Sequence, residues 1–315
     1  MIKKFLPAIG IALFAYLLYK IGLGSLYINF KGANFYYLLL AVIITFFYTL
    51  IQIWKWGLIL RRQGIFVRFN KLARMQLKSL FYGIVTPGRI GSFVKAYYLK
   101  EELNSNLGKA VSSVIIDRIL DIMSIFILAF IGGTLLVNKI FDLSYALFIA
   151  IACIAAGSYI VLNKSLTKKI LGFLYDRFLP NKFKQDARES FYSFYENLPK
   201  KNSLIIPFMV NLASWIGIYT TAYFVSLSLH LEINYIVLIT LYAITTVVGL
   251  VPITISGLGT REAALIGLLI PFGIEPSRIV ALSLMSYFIG GILPALIGAI
   301  LVLRDGNLHK TRQGS

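Results

Sequence analysis

From Phe35 to Leu60 the chain runs through apolar and aromatic residues with one charged side chain, Lys55. About 20 such residues span the hydrocarbon core of a bilayer as a helix, and a longer run spans with tilt. Ala110–Val137, Leu143–Leu162, Leu204–Leu229, Tyr235–Leu250 and Ile279–Leu303 repeat the pattern, with a shorter helix, Glu262–Phe272, between the last two. Phe5–Ile21, behind Lys3 and Lys4, resembles a signal peptide, but no small-residue cleavage site follows, so it reads as a retained first helix. Charged residues make up 14% of the 315, where soluble domains carry about 25%. The chain lacks the polar side chains to cover a soluble fold of this size. The expected fold is an all-α polytopic membrane protein of about eight transmembrane helices, forming one transmembrane domain over residues 1–315.

Lys and Arg exceed Asp and Glu by 31 to 13. In a soluble protein that excess suggests nucleic acid; here it fits cytoplasmic loops and anionic headgroups, and no nucleic-acid partner is expected. Arg61, Arg62, Arg68, Lys71, Arg74 and Lys78 follow one another with no acidic residue between them. This loop is placed inside, which puts both termini in the cytoplasm of a cell-membrane protein with eight crossings. A second basic stretch, residues 164–201, interleaves aromatics and reads as interfacial helices on the same side. Trp54 and Trp56 read as an interface belt, and residues 305–315 as a polar tail.

Residues 80–99 and 251–265 fit no plain span, because Pro and Gly break both and an Arg lies in each break. Broken backbone at membrane depth survives only inside protein or beside a water-filled cavity. Such segments, one in each half, point to a transporter's central site. They are expected to be re-entrant, since a full crossing by residues 80–99 would put the 164–201 loop outside. The loose likeness of Thr86–Ser92 to Ser256–Glu262 leaves a weak inverted repeat open.

Ionisable groups inside spans are costly, by about 2.5–3.5 kcal/mol each on insertion scales, and are functional candidates. Arg89, Asp117, Arg118, Asp121, Arg261 and Glu262 form a balanced set. Asp117 and Asp121 share a helix face with Ser113 and Ser124, a polar seam facing the bundle interior, and Arg118 can pair with Asp121. Lys55 and Lys95 read as interfacial residues able to snorkel. Gly88 and Gly91 around Arg89, and Gly257 and Gly259 before Arg261, permit anion-binding turns beside a guanidinium. Ser256 or Thr260 is the expected cap of the helix that follows. Structural ion pairing of the six groups, and a metal at Asp117 and Asp121, are the competing readings. Arg118 between the carboxylates works against a metal. Gly290, Gly291, Pro294 and Gly298 read as close-packing positions.

Pro87-Gly88-Arg89-Ile90-Gly91, then Asp117-Arg118 with Asp121, then Gly257, Gly259 and Arg261-Glu262 occur in the order seen in a known family. The chain resembles the lysylphosphatidylglycerol synthase transmembrane-region family of flippase-like membrane proteins over nearly its whole length. Members often carry an acidic residue where this chain has Ser92. The resemblance implies a lipid translocase without the soluble synthase or glycosyltransferase domain of some members, so a separate lipid-modifying enzyme is an expected partner.

The expectation is movement of an anionic phospholipid or polyprenyl-phosphate-linked lipid through a polar cleft. Arg89 and Arg261 would hold the phosphate, while Asp117, Asp121 and Glu262 pair with those arginines in the empty site. No cofactor, metal or catalytic motif is expected, and no nucleotide-binding loop is present. A membrane glycosyl- or prenyl-transferase and a small-anion transporter are the alternatives.

Overall fold

The computed structural model describes residues 23–86, 90–103, 107–135, 198–250 and 257–313, with Tyr19, Ser165, Tyr192 and Glu196 as isolated positions. The expected spans Phe5–Ile21 and Leu143–Leu162, the stretch 164–191, the turn Pro87-Gly88-Arg89 and Ser256 lie outside the described residues. Among the described residues there are helices and no strands. In chain order they are α1 (Leu23–Lys31), α2 (Phe35–Arg62), α3 (Phe69–Val85), α4 (Val94–Leu103) and α5 (Leu107–Leu135). Then come α6 (Ile205–Ser228), α7 (Tyr235–Gly249), α8 (Thr260–Leu269), α9 (Pro276–Tyr287) and α10 (Leu293–Gln313). A π-helical turn, Phe288–Ile292, joins α9 to α10. Phe35–Arg62, Asn202–Ser228 and Pro276–Asp305 are each long and apolar enough to cross a membrane. The tail expected after Asp305 continues α10 as helix to Gln313.

Asparagine starts two of these helices. The side chain of Asn34 accepts from the Tyr36 amide at 2.9 Å, and that of Asn234 accepts from Ile236 at 2.9 Å. Each satisfies one of the amides a helix start leaves free. The Asn34 amide in turn donates to the Ser228 carbonyl at 2.8 Å, so α2 begins where α6 ends. The two run antiparallel, with Thr45 against Thr221 (3.3 Å between hydroxyls) and Gly217 against Tyr48. Lipid tails are as apolar as leucine, so hydrophobicity does not drive these helices together; small residues allow the close contact instead. Gly132 on α5 meets Thr240 on α7 in the same way, and Gly298 on α10 meets the Leu77 carbonyl on α3. The outward apolar side chains, among them Ile43, Phe46, Phe47, Ile300 and Leu303, form a lipid-facing coat.

The two broken segments fold back on themselves. Lys71 pairs with Glu102, Gln76 accepts from Lys95, and the Lys78 ammonium lies 4.4 Å from the Tyr98 ring centroid. These rungs make α3 and α4 an antiparallel hairpin that starts and ends at the bundle's basic end, where Arg61 and Arg62 lie. At its tip the Gly91 amide donates to the Thr86 hydroxyl at 2.7 Å, and that hydroxyl donates to the Tyr82 carbonyl at 2.8 Å. A Cβ on Gly91 would collide with the same Tyr82 carbonyl, which is why glycine stands there.

The second hairpin, α7 and α8, is of opposite sense. Residues 230–234 and 272–275 line one cavity at the far end of the bundle, where α6 finishes. At the tip, a Cβ on Gly257 would lie 3.8 Å from the Cα of Gly249. Each half thus reads helix, hairpin, helix, and the two hairpins enter from opposite ends. Ile84, beside the first tip, approaches Gly291 of the π turn, and Arg261, at the second, covers Tyr287 just before it.

Candidate functional site

Asp117 and Asp121 are one turn apart on α5 and project from one face into the bundle. Lys55 comes to them from α2. Its ammonium lies 2.6 Å from Asp117 Oδ1, 2.8 Å from Asp121 Oδ1 and 3.0 Å from the side-chain oxygen of Asn211 on α6. Lys95, from α4, pairs with Asp117 Oδ2 and stands 4.8 Å from the Trp56 ring centroid. Trp215 Nε1 donates to Asp121 Oδ1 at 3.3 Å, and Trp56 Nε1 donates to Ser113 at 3.3 Å. Asn211 Nδ2 donates to Ser124 at 2.8 Å. The seam of Ser113, Asp117, Asp121 and Ser124 faces inward, and every member has a partner.

Lys55 and Lys95 correct the sequence reading. They are not interfacial: 2% and 1% of their surfaces are exposed. Two buried carboxylates on one helix face must be balanced by charges that are themselves buried, and that demand outweighs the pull of the headgroup region. Trp56 likewise leaves the expected interface belt and lies fully buried beneath Lys95. The signal was present, since Lys55 is the one charge in its apolar run. Trp215 and Asn211 carried no such mark.

Arg118 sits at the edge of this cluster. One guanidinium nitrogen is 3.5 Å from Asp121 Oδ2, at the expected three-residue spacing, and the other donates to Ser92 at the start of the returning hairpin arm. Its side chain is 31% exposed. The cluster of Lys55, Lys95 and Arg118 against Asp117 and Asp121 therefore carries one positive charge in excess among the described residues.

The second site lies at the start of α8. Gly259, at φ +84°, is the helix cap in place of Ser256 or Thr260, because the chain turns there through the left-handed region that suits glycine. Glu262 reaches back and accepts from the Gly259 amide at 2.6 Å. Its other oxygen accepts from Arg261 at 2.6 Å and from the Ser283 hydroxyl at 2.8 Å. Arg261 also donates to Ser283 Oγ at 3.0 Å and stacks 4.5 Å from the Tyr287 ring centroid. Glu262 is fully buried, while the Arg261 side chain is 16% exposed. Arg261 pairs with Glu262 as expected. Asp117 and Asp121 instead pair with Lys55, Lys95 and Arg118. Gly88 and Arg89 lie outside the described residues.

Between the hairpin tips runs the π turn. Pro294 removes the amide that would bond the Gly290 carbonyl in a regular helix, and the Tyr48 hydroxyl donates to that carbonyl from α2. Single π turns inside helices recur at functional sites. Gly290 and Gly291 thus belong to an irregular helix between the two tips, and both, packed against Tyr48 and Tyr287, keep the close-packing role expected of them, as does Gly298. Among the described residues no group of three or more His, Cys, Asp or Glu gathers as a metal site.

A family model described as the lysylphosphatidylglycerol synthase TM region matches residues 6–298. A UPF0104 membrane protein of Methanocaldococcus jannaschii is 26% identical, over 90% of this chain and 89% of its own. One from Pyrococcus horikoshii is 23% identical, over 97% and 98%. A third, from Methanothermobacter thermautotrophicus, is 22% identical over 90% and 88%.

Proposed function

This chain belongs to the lysylphosphatidylglycerol synthase transmembrane-region family, and we propose that it is a lipid translocase acting without covalent chemistry. Its substrate is an anionic phospholipid or a polyprenyl-phosphate-linked lipid of the cell membrane. The observation that carries the reading is the pair of opposed hairpins whose tips flank one π turn, with an arginine at the second tip. A headgroup crossing the bilayer needs polar groups at mid-depth and must be reachable from each side in turn. Hairpins entering from opposite ends supply that arrangement.

Arg261 offers a planar fork suited to phosphate. Glu262 holds that fork in the empty site, so the guanidinium is not a bare charge before a phosphate arrives, and the phosphate must compete with that carboxylate. Arg89 takes the corresponding role at the first tip, and Gly88, Gly91, Gly257 and Gly259 let the backbone approach the headgroup. Asp117 and Arg118 fasten the first hairpin to α5 through Lys95 and Ser92, and Asp121 holds Lys55 and Arg118 in place. The acyl or prenyl tail stays in lipid. Both termini lie in the cytoplasm, and a separate enzyme makes or consumes the lipid.

The test is transbilayer movement of a fluorescent phosphatidylglycerol in proteoliposomes, with native mass spectrometry of the same preparations. Wild type is expected to speed movement and to retain an anionic lipid. Arg261→Ala is expected to insert normally and lose both properties. A wild-type rate in that variant overturns the assignment.

A further inference from the structure

The Lys55 ammonium occupies a cage of three oxygens supplied by two other helices: Asp117 Oδ1, Asp121 Oδ1 and Asn211 Oδ1, at 2.6, 2.8 and 3.0 Å. Each of the three side chains is fixed by a second contact. Lys95 holds the other oxygen of Asp117, and Trp215 and Arg118 hold Asp121. The Asn211 amide nitrogen donates to Ser124, which turns its oxygen toward Lys55. Two carboxylates and an amide oxygen converging on one buried point are the ligand set of a hard cation. Transporters with broken helices hold their coupling cations near mid-membrane in such oxygen sets.

We propose that Lys55 is a tethered counter-cation: its ammonium stands in this buried cage where a soluble coupling cation would otherwise sit, so the protein works without sodium or another monovalent ion. The charge balance supports the assignment. The cluster already carries one positive charge in excess, and a further cation would raise it to two in a water-poor interior. Removing the ammonium leaves two cations, Lys95 and Arg118, facing two carboxylates and a vacant cage. That cage is then open to a small monovalent cation of ammonium or sodium size.

The inference rests on the transport reading for its coupling claim, but its first test does not need transport. The thermal midpoint of purified wild type and Lys55→Ala is measured in sodium, ammonium and N-methylglucamine chloride at equal ionic strength. Wild type is expected to melt at one temperature in all three. Lys55→Ala is expected to melt roughly 5 °C or more lower in N-methylglucamine, with a saturable rise in ammonium or sodium. Lipid movement by Lys55→Ala is expected to recover in the same salts, while the wild-type rate ignores them. Ion-specific stabilisation of wild type, or a folded Lys55→Ala with no cation response, overturns the proposal. If Lys55→Ala does not fold, the wild-type comparison still decides, because a coupling cation would raise the wild-type midpoint. If wild type moves no lipid while Lys55→Ala shows the cation response, the transport reading fails and the tethered cation stands.

Discussion

Asp117 is the pivot of the buried cluster, since its two oxygens face Lys55 and Lys95. In Asp117→Asn the cluster keeps its three cations and one carboxylate, so the excess positive charge rises from one to two. Removing one partner of a buried pair costs about 3–5 kcal/mol, because the other charge is left uncompensated. At about 2.1 cal/mol/K of unfolding entropy per residue, a chain of 315 residues shifts by about 1.5 °C per kcal/mol, and the expected loss is roughly 5–8 °C. Lys95→Met on the same background restores the native excess of one, and the methionine can lie on the Trp56 ring that the ammonium covers. The double variant should therefore lose less than the sum of the singles by about 0.5–3 kcal/mol, the range for groups in direct contact. The assay is a two-by-two cycle of thermal midpoints in detergent, read by size-exclusion recovery after heating. Additivity within about 0.5 kcal/mol would refute the pairing of Lys95 with Asp117.

Four further outcomes follow from the contacts. Gly132→Ala should destabilise by about 1–3 kcal/mol, because its Cβ lands on the Thr240 side chain. Adding Thr240→Gly should recover most of that loss, whereas Thr240→Ala should recover only part because the Thr240 Cβ itself stays 2.6 Å away; melting curves of the pairs check it. Gly298→Ala should be severe and without such a remedy, because its Cβ meets backbone at Leu77; the measurement is the yield of monodisperse protein. Tyr48→Phe takes the donor from the Gly290 carbonyl and should cost about 1–3 kcal/mol, visible as a lower midpoint beside Thr49→Ala. Lys78→Ala should cost more than the roughly 1 kcal/mol of an exposed pair, since Lys78 is itself buried and also covers the Tyr98 ring, and raising salt should leave most of the loss in place.

Hydropathy made the spans legible because length and apolarity are what a bilayer demands of a helix. α2, α5 and α6 begin and end within a few residues of the runs that announce them; α7 fills the run Tyr235–Leu250 expected to span, but it is a shorter helix and one arm of the second hairpin. Pro and Gly announced the breaks for the same reason, since broken backbone is visible as composition. The direction from which each hairpin enters was not visible, because it depends on rungs such as Lys71 with Glu102 between residues far apart in the chain. Lys55 and Lys95 were misplaced because hydropathy registers what a lysine costs and not what it meets. Glu262 was legible from its spacing within the turn, but the cap at Gly259 was not, because the sign of φ outranks the usual preference for Ser and Thr.

Lys55 and Asn211 are separated by 156 residues. At synthesis rates of about 5–20 residues per second, those 156 residues occupy the ribosome for roughly 8–30 s. Both carboxylates that the Lys55 ammonium pairs with are made within the first 66 of those residues, so α2 has reason to linger at the translocon until α5 is complete, and Asn211 closes the cage later. The first hairpin, with Lys95 at its returning arm, waits for Asp117 on the same helix. Arrival of α5 is therefore the event that releases the first half of the chain into the membrane, and truncations ending before Asp117 should be held by insertion chaperones and degraded.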